Sequence, residues 1–130
     1  MTNGNLSKDP LNAIITGVGG QGNVLMAQLF GKALTDKGFV VTVGDTYGAA
    51  QRGGPVSSHL RISKKTVYSP LTPSGQADLV ISLEPVEALR YLEYVKPKGT
   101  IVANTQPIKN KGYPELENVL KELKAQGAHL

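Results

Sequence analysis

The 130-residue chain contains no cysteine and no tryptophan, and only two histidines, His59 and His129. Without thiols it can form no disulfide, carries no thiolate nucleophile, and cannot ligate an Fe–S cluster in the usual way. Two imidazoles are too few for a His-rich metal site. Five Tyr and two Phe supply little for stacking on bases or sugars. No run approaches the ~18 consecutive apolar residues of a membrane span. The opening "MTNGNLSKDP" is polar and has no apolar core of a signal peptide, so the expected compartment is the cytoplasm. Charge of one sign is also sparse, with 14 Lys+Arg against 10 Asp+Glu for a net +4. Lys96, Lys98, Lys109, Lys111, Lys121 and Lys124 are interleaved with Glu115, Glu117 and Glu122. A nucleic-acid interface needs a basic stripe on one face, so neither nucleic acid nor membrane is expected as a partner.

What is present is the material of one globular α/β domain, 40% hydrophobic and 18% charged. Residues 1–11 read as a flexible lead-in and 12–130 as the domain. Residues 12–16, "NAIIT", are a β-branched run that breaks into "GVGGQG" at 17–22. "NVLMAQLFGKALTDK" follows, with Leu25, Leu29 and Ala33, together with Met26 and Phe30, at helical spacing. Gly38 stands where a helix C-terminal glycine belongs. "FVVTV" at 39–43 completes a βαβ unit, whose parallel crossover should be right-handed.

Residues 56–62 alternate as a strand, and "SKKT" turns into "VYSPL" as its expected hairpin partner. "ADLVISL" at 77–83 suits a strand buried on both faces. Glu84-Pro85 opens a helix with Pro where its missing N–H costs least, "TIVAN" at 100–104 is another strand, and Pro114 opens a last helix carrying Leu116, Val119, Leu120 and Leu123 on one face. The expected fold is a Rossmann-like three-layer α/β sandwich, its sheet mostly parallel with an inserted β-hairpin. The last helix should lead back to the sheet, yet the sequence stops at Ala128-His129-Leu130, so the C-terminal part of the fold reads as absent.

Gly17, Gly19 and Gly22 satisfy G-x-G-x-x-G directly after a strand and before a helix. Free N–H groups at such a helix start favour an anion. A dinucleotide site also wants an acid about 20 residues on, and Asp45 is the candidate. From pattern alone two readings stand: phosphate binding, as in a stand-alone NAD(H) or nucleotide-binding module, and glycines that only let helix and sheet pack closely. Gly20 and Gln21 mark a departure, because dinucleotide turns usually carry small apolar residues there.

"GVGGQGNVLMAQLFGKAL", "YGAAQRGGPVSSHLRI", "YSPL", "ADLVISLEPVEALRYL" and "GTIVANTQPI" occur in this order over residues 12–108. Together they resemble the gamma-type subunit or domain of the 2-oxoacid:ferredoxin oxidoreductases. "LEPVEALRYL" draws the likeness toward the smaller (beta) subunit of the indolepyruvate branch. The resemblance implies a complex that decarboxylates a 2-oxoacid oxidatively, passes electrons to ferredoxin and forms an acyl-CoA. It implies that thiamine diphosphate, Mg and the Fe–S clusters sit on a large catalytic partner subunit, with ferredoxin engaged only indirectly and this chain inactive alone. Gly17, Gly19, Gly20, Gln21 and Gly22 would then hold the phosphate-bearing part of coenzyme A. Thr46, Gly48, Gln51, Arg52, Gly53, Gly54 and Ser58 would face a subunit interface or the substrate approach.

Arg52 carries a permanently charged fork suited to carboxylate or phosphate. Its two readings are contact with a partner or ligand, interface contact foremost, and satisfaction of local backbone carbonyls. His59, a lone strand histidine between Ser58 and Arg61, reads as structural. Glu84 and Glu87 read as acids complementing a helix start rather than a catalytic pair. No residue of this chain is expected to be catalytic and none to bind a metal.

Overall fold

The computed structural model describes residues 6–47, 54–109 and 111–130. Five strands form one sheet: β1 Leu11–Val18, β2 Val40–Tyr47, β3 Pro55–Ser63, β4 Ala77–Ser82 and β5 Val95–Ala103. Helix α1 spans Asn23–Asp36, α2 Pro85–Arg90 and α3 Leu116–Ala125, with a short 3-10 turn at Leu92–Tyr94. The sheet order is β2-β3-β1-β4-β5. β1, β4 and β5 pair in parallel. β3 runs antiparallel to both β1 and β2, so every strand but β3 points the same way.

The three-layer expectation holds. Ile14 and Ile15 are both wholly buried neighbours in β1, and consecutive strand residues face opposite sides of a sheet. Ile15 packs with Ala27 of α1 and Leu60. On the other side Ile14 and Val80 meet Tyr91 and Tyr94, and Ala88 of α2 packs with Ala103, Val119 and Leu123. Each such aliphatic side chain contributes roughly 1.5–3 kcal/mol by leaving water.

Three details depart from the sequence reading. The hairpin joins β2 to β3, in unbroken register from Val40↔Ser63 to Tyr47↔Val56, and "VYSPL" is not a strand. That segment lies on the sheet instead: a Cβ on Gly44 would stand 2.6 Å from Pro70 Cβ, so glycine there makes room for the loop. As a consequence β3 separates β2 from β1, and the first crossover does not join adjacent strands.

The inward stripe of α1 is Asn23, Ala27 and Gly31, while Leu25 and Leu29 are 60% and 59% exposed. Small residues bring α1 close to the sheet, where Gly31 sits against Val43 and Val41. The third departure is β5, which starts five residues before the expected strand, at Val95. Gly38, with φ 98°, closes α1 as expected, and Gly127, with φ 83°, does the same after α3. After α3 the chain returns to the sheet beside β5, where His129 N–H donates to Ile101 O and His129 O accepts from Ala103 N–H, both at 2.8 Å.

Candidate functional site

The strand order places β1 and β4 side by side, with α1 on one face and α2 on the other. In open α/β sheets, the crevice at the carboxyl ends of two such strands is the usual ligand site. Here Gln21 fills it. Its Oε1 accepts from Val18 N–H at 2.7 Å and its Nε2 donates to Leu83 O at 2.8 Å, so one amide bridges the ends of β1 and β4. Gly17 permits this, since a Cβ there would stand 2.7 Å from Gln21 Oε1. The polar residue that distinguishes this turn is therefore spent on the turn itself.

Closing that crevice leaves the opening on the β3 side. A cleft of about 280 Å³ is lined by Gly19, Gly20, Gly22, Asn23, Val24, Tyr47 and Val56. Gly20 and Gly22 adopt φ of 94° and 92°, a region costly to residues with a Cβ. Met26 N–H makes the first helical bond, to Gly22 O at 2.9 Å. The amides of Asn23, Val24 and Leu25 precede it at the positive end of α1, with no side-chain cap. Among the described residues the cleft wall carries no acid.

The described end of the second glycine-rich block, from Gly54 on, meets the first here. Gly19 N–H donates to Gly54 O at 2.9 Å, and Gly17↔Val56 and Val18↔Pro55 are in register. Buried Asn23 donates from Nδ2 to Val56 O at 3.2 Å, which ties the helix start to β3. Asn23 and Tyr47 are site residues that the sequence reading missed. An asparagine opening an otherwise apolar helix was the available signal for the first. Tyr47 carries no such signal, because only the hairpin brings it to the glycine turn.

Other candidates face elsewhere. Thr46 bonds Ser57 through their hydroxyls, and buried Ser58 donates to Asp45 at 2.6 Å. Both are therefore occupied within the sheet. Asp45 lies on β2, one strand beyond the neighbour of β1, and its carboxylate is engaged by Ser58. A ribose-binding acid sits on the strand next to the glycine turn, so this arrangement weighs against the dinucleotide alternative. Gly48, Gln51, Arg52 and Gly53 lie outside the described residues.

One face of β3 is polar and buried under the segment that follows it: Ser57, His59, Arg61 and Ser63. Arg61 donates to Asn12 Oδ1 at 3.1 Å and to Ser69 O and Oγ at 3.2 Å, with Tyr68 stacked 5.0 Å below the guanidinium. It thus pins the "YSPL" block to the sheet, using its fork on local acceptors. His59 Nδ1 accepts from Thr72 N–H at 3.1 Å, so its proton sits on Nε2, 3.5 Å from Ser57 Oγ. Burial holds the His59 pKa below its ordinary value, against the pull of Asp45 and with the push of Arg61. A neutral imidazole whose acceptor nitrogen is bound to backbone has no free base, and its role is structural.

Glu84 and Glu87 also keep structural roles. The Glu84 carboxylate accepts from Val86 N–H (2.6 Å) and Glu87 N–H (3.1 Å) at the start of α2, and from Ile108 N–H (3.1 Å) and Tyr113 Oη beyond β5. Burial, reinforced by Glu84, pushes the Tyr113 hydroxyl far above its ordinary pKa. Among the described residues no cluster of His, Cys, Asp and Glu could hold a metal ion. None of their helices is long and apolar enough to cross a membrane.

The profile of the family described as pyruvate ferredoxin/flavodoxin oxidoreductase matches residues 12–129. The chain is 45% identical over 97 residues to indolepyruvate oxidoreductase subunit IorB of Thermococcus kodakarensis, covering 75% of this chain and 48% of that one. It is 39% identical over 121 residues to IorB of Archaeoglobus fulgidus, covering 88% and 59%. The chain thus spans about half the length of the curated relatives it matches. Among solved structures, the gamma subunit of a keto/oxoacid ferredoxin oxidoreductase from Geobacter sulfurreducens superposes with TM-score 0.65 at 22% identity, over 79% of this chain and 55% of that one. A 2-oxoglutarate:ferredoxin oxidoreductase from Magnetococcus marinus, solved with 2-oxoglutarate, coenzyme A and succinyl-CoA bound, gives 0.67 at 19% identity, over 92% and 22%. At these identities the structural likeness carries the fold.

Proposed function

The chain belongs to the pyruvate ferredoxin/flavodoxin oxidoreductase family, and from that premise we propose that it is the small, gamma-type component of a 2-oxoacid:ferredoxin oxidoreductase complex of the indolepyruvate kind. In this reading its part is to contact a large catalytic subunit and to receive the phosphate groups of coenzyme A. A chain without cysteine offers no thiolates for Fe–S clusters, so this reading assigns the clusters to the partner, together with the family's thiamine diphosphate and Mg, and the partner passes electrons to ferredoxin. The observation that carries the coenzyme A assignment is the α1 start. Gln21 closes the crevice between β1 and β4, and the remaining acid-free cleft presents the amides of Asn23, Val24 and Leu25. A phosphate fits that donor set.

Calorimetry on the chain should show coenzyme A binding, displaced by inorganic pyrophosphate, with no comparable heat from NADH. NADH binding that Asp45→Asn weakens would instead establish the nucleotide module. Co-expression with the large subunit should yield a complex that reduces viologen with an aryl pyruvate. Arg52→Ala should support that activity less well if the second block contacts the partner or the substrate approach. A tagged chain that recovers no thiamine-diphosphate protein from its host would overturn the subunit reading.

A further inference from the structure

We infer that β2 is the seam of a homodimer, in which two copies of this chain pair their β2 strands antiparallel across a two-fold axis. The inference rests on the sheet edge and is independent of the function proposed above. β2 ends the strand order and, among the described residues, pairs only with β3. Its outer row of N–H and C=O groups has no partner among the described residues, whereas beyond β5 the chain itself returns at His129. The open edge is eight residues long, about 27 Å at ~3.4 Å per residue.

Exposed edges are normally blunted by lysine, proline or a bulge. β2, "VVTVGDTY", has no Lys, Arg or Pro, and its pairing with β3 runs without a register break. Its single charge, Asp45, is bound to Ser58 of the neighbouring strand at 2.6 Å. Val43 and Tyr47 are 37% and 67% exposed along it.

The sequence is self-complementary. Centred on Val43, an antiparallel pair sets Val43 opposite its own copy on the same face, Thr42 opposite Gly44, Val41 opposite Asp45 and Val40 opposite Thr46, with no like charges facing. A two-fold axis makes such a contact close on itself. A different partner is usually selected by charge, and β2 offers none that is free.

The 13.8 kDa chain should sediment at twice its mass as its concentration rises through the micromolar range. Val43→Lys places two ammonium groups across the seam and should weaken dimerisation by about tenfold or more, with unchanged far-UV circular dichroism. Because the chain has no cysteine, Val43→Cys gives a single reactive site. A short bis-maleimide should convert it to covalent dimer, while Val67→Cys, on a 76% exposed residue outside the sheet, should stay monomeric. If the lysine variant unfolds, the cross-linking pair decides alone. A wild-type chain that stays at 13.8 kDa at every concentration overturns the proposal. So does a folded lysine variant that dimerises as well as wild type, or equal cross-linking of the two cysteine variants. Protection of β2 amides from exchange only when the large subunit is present would assign the edge to that subunit instead.

Discussion

The carboxyl ends of β1 and β4 lie next to each other, and each runs into the start of a helix, but the two starts are built in opposite ways. α1 begins at Gly22, in a left-handed conformation, with no side-chain cap and no acid in its first turn. α2 begins at Glu84, whose carboxylate caps Val86 and Glu87, with Pro85 at the first helical position and a second acid, Glu87, behind it. Both helices present a positive end. α2 supplies its own anion from within the chain and buries it, and Glu84 is 1% exposed. α1 draws no such anion from the described residues and begins among glycines. The difference teaches where an external anion would go, because among the described residues only one of the two positive ends has a side-chain partner. Gln21 stands between them, its amide bound to the end of each strand, and keeps the α1 cleft separate from the α2 side.

The largest test of this contrast is Glu84→Ala. It removes the cap, worth about 1 kcal/mol, and leaves Ile108 N–H and Tyr113 Oη without their acceptor, each costing about 1 kcal/mol or more. A loss of about 3 kcal/mol should appear in urea unfolding, with coenzyme A affinity unchanged in the fraction that remains folded. Gln21→Met keeps the length but removes both bonds, and should cost about 2 kcal/mol. It should also weaken coenzyme A by about tenfold, roughly 1.4 kcal/mol, although the side chain does not line the cleft. Gly22→Ala meets no neighbouring atom, so its cost is conformational, about 1–2 kcal/mol at φ 92°. Its binding loss should exceed its stability loss, because the first amides of α1 turn away from the cleft.

Much of this contrast could be read from the sequence, and the remainder fails for identifiable reasons. The strands follow β-branched runs, and the glycine turn, the Pro85 helix start and the glycines after α1 and α3 obey local rules. The hairpin partner was misread because "VYSPL" has strand composition, whereas its place on the sheet is decided by Arg61 and by the missing side chain of Gly44. The helical spacing of the leucines gives the helix but not the inward face of α1, where Asn23, Ala27 and Gly31 let the backbone approach. Gln21 stood out as a polar oddity, yet its two acceptor and donor partners lie on β1 and beyond β4, 62 residues away in the second case. Glu84 was correctly placed at a helix start, but its reach to Tyr113 depends on how the chain returns after β5. Contacts set by long-range topology leave no trace in local pattern.

The smallest effect sharpens the contrast most, since it asks whether α2 is over-supplied with anions. Burial pushes the Glu87 carboxyl up, Arg90 pulls it back through its charge and its 3.1 Å hydrogen bond, and Glu84 adds to the rise. Its Oε1 is buried and has no hydrogen-bond partner among the described residues. A folded-state pKa above the unfolded value means that the folded chain holds this proton more tightly. Stability from the group is therefore present below the ordinary value of 4.5 and is lost as pH rises through the raised one. Ionising Glu87 is therefore a burden, lightened but not removed by exposed Arg90. Glu87→Gln should raise the urea midpoint at pH 7 by an amount equivalent to less than about 1 kcal/mol, and the gain should vanish near pH 4, where the wild-type carboxyl is protonated. No equivalent pH-dependent gain should arise from any first-turn substitution in α1, where there is no carboxylate to neutralise. If Glu87→Gln destabilises equally at both pH values, the Arg90 contact outweighs the burial cost, and the α2 start is balanced rather than overfilled.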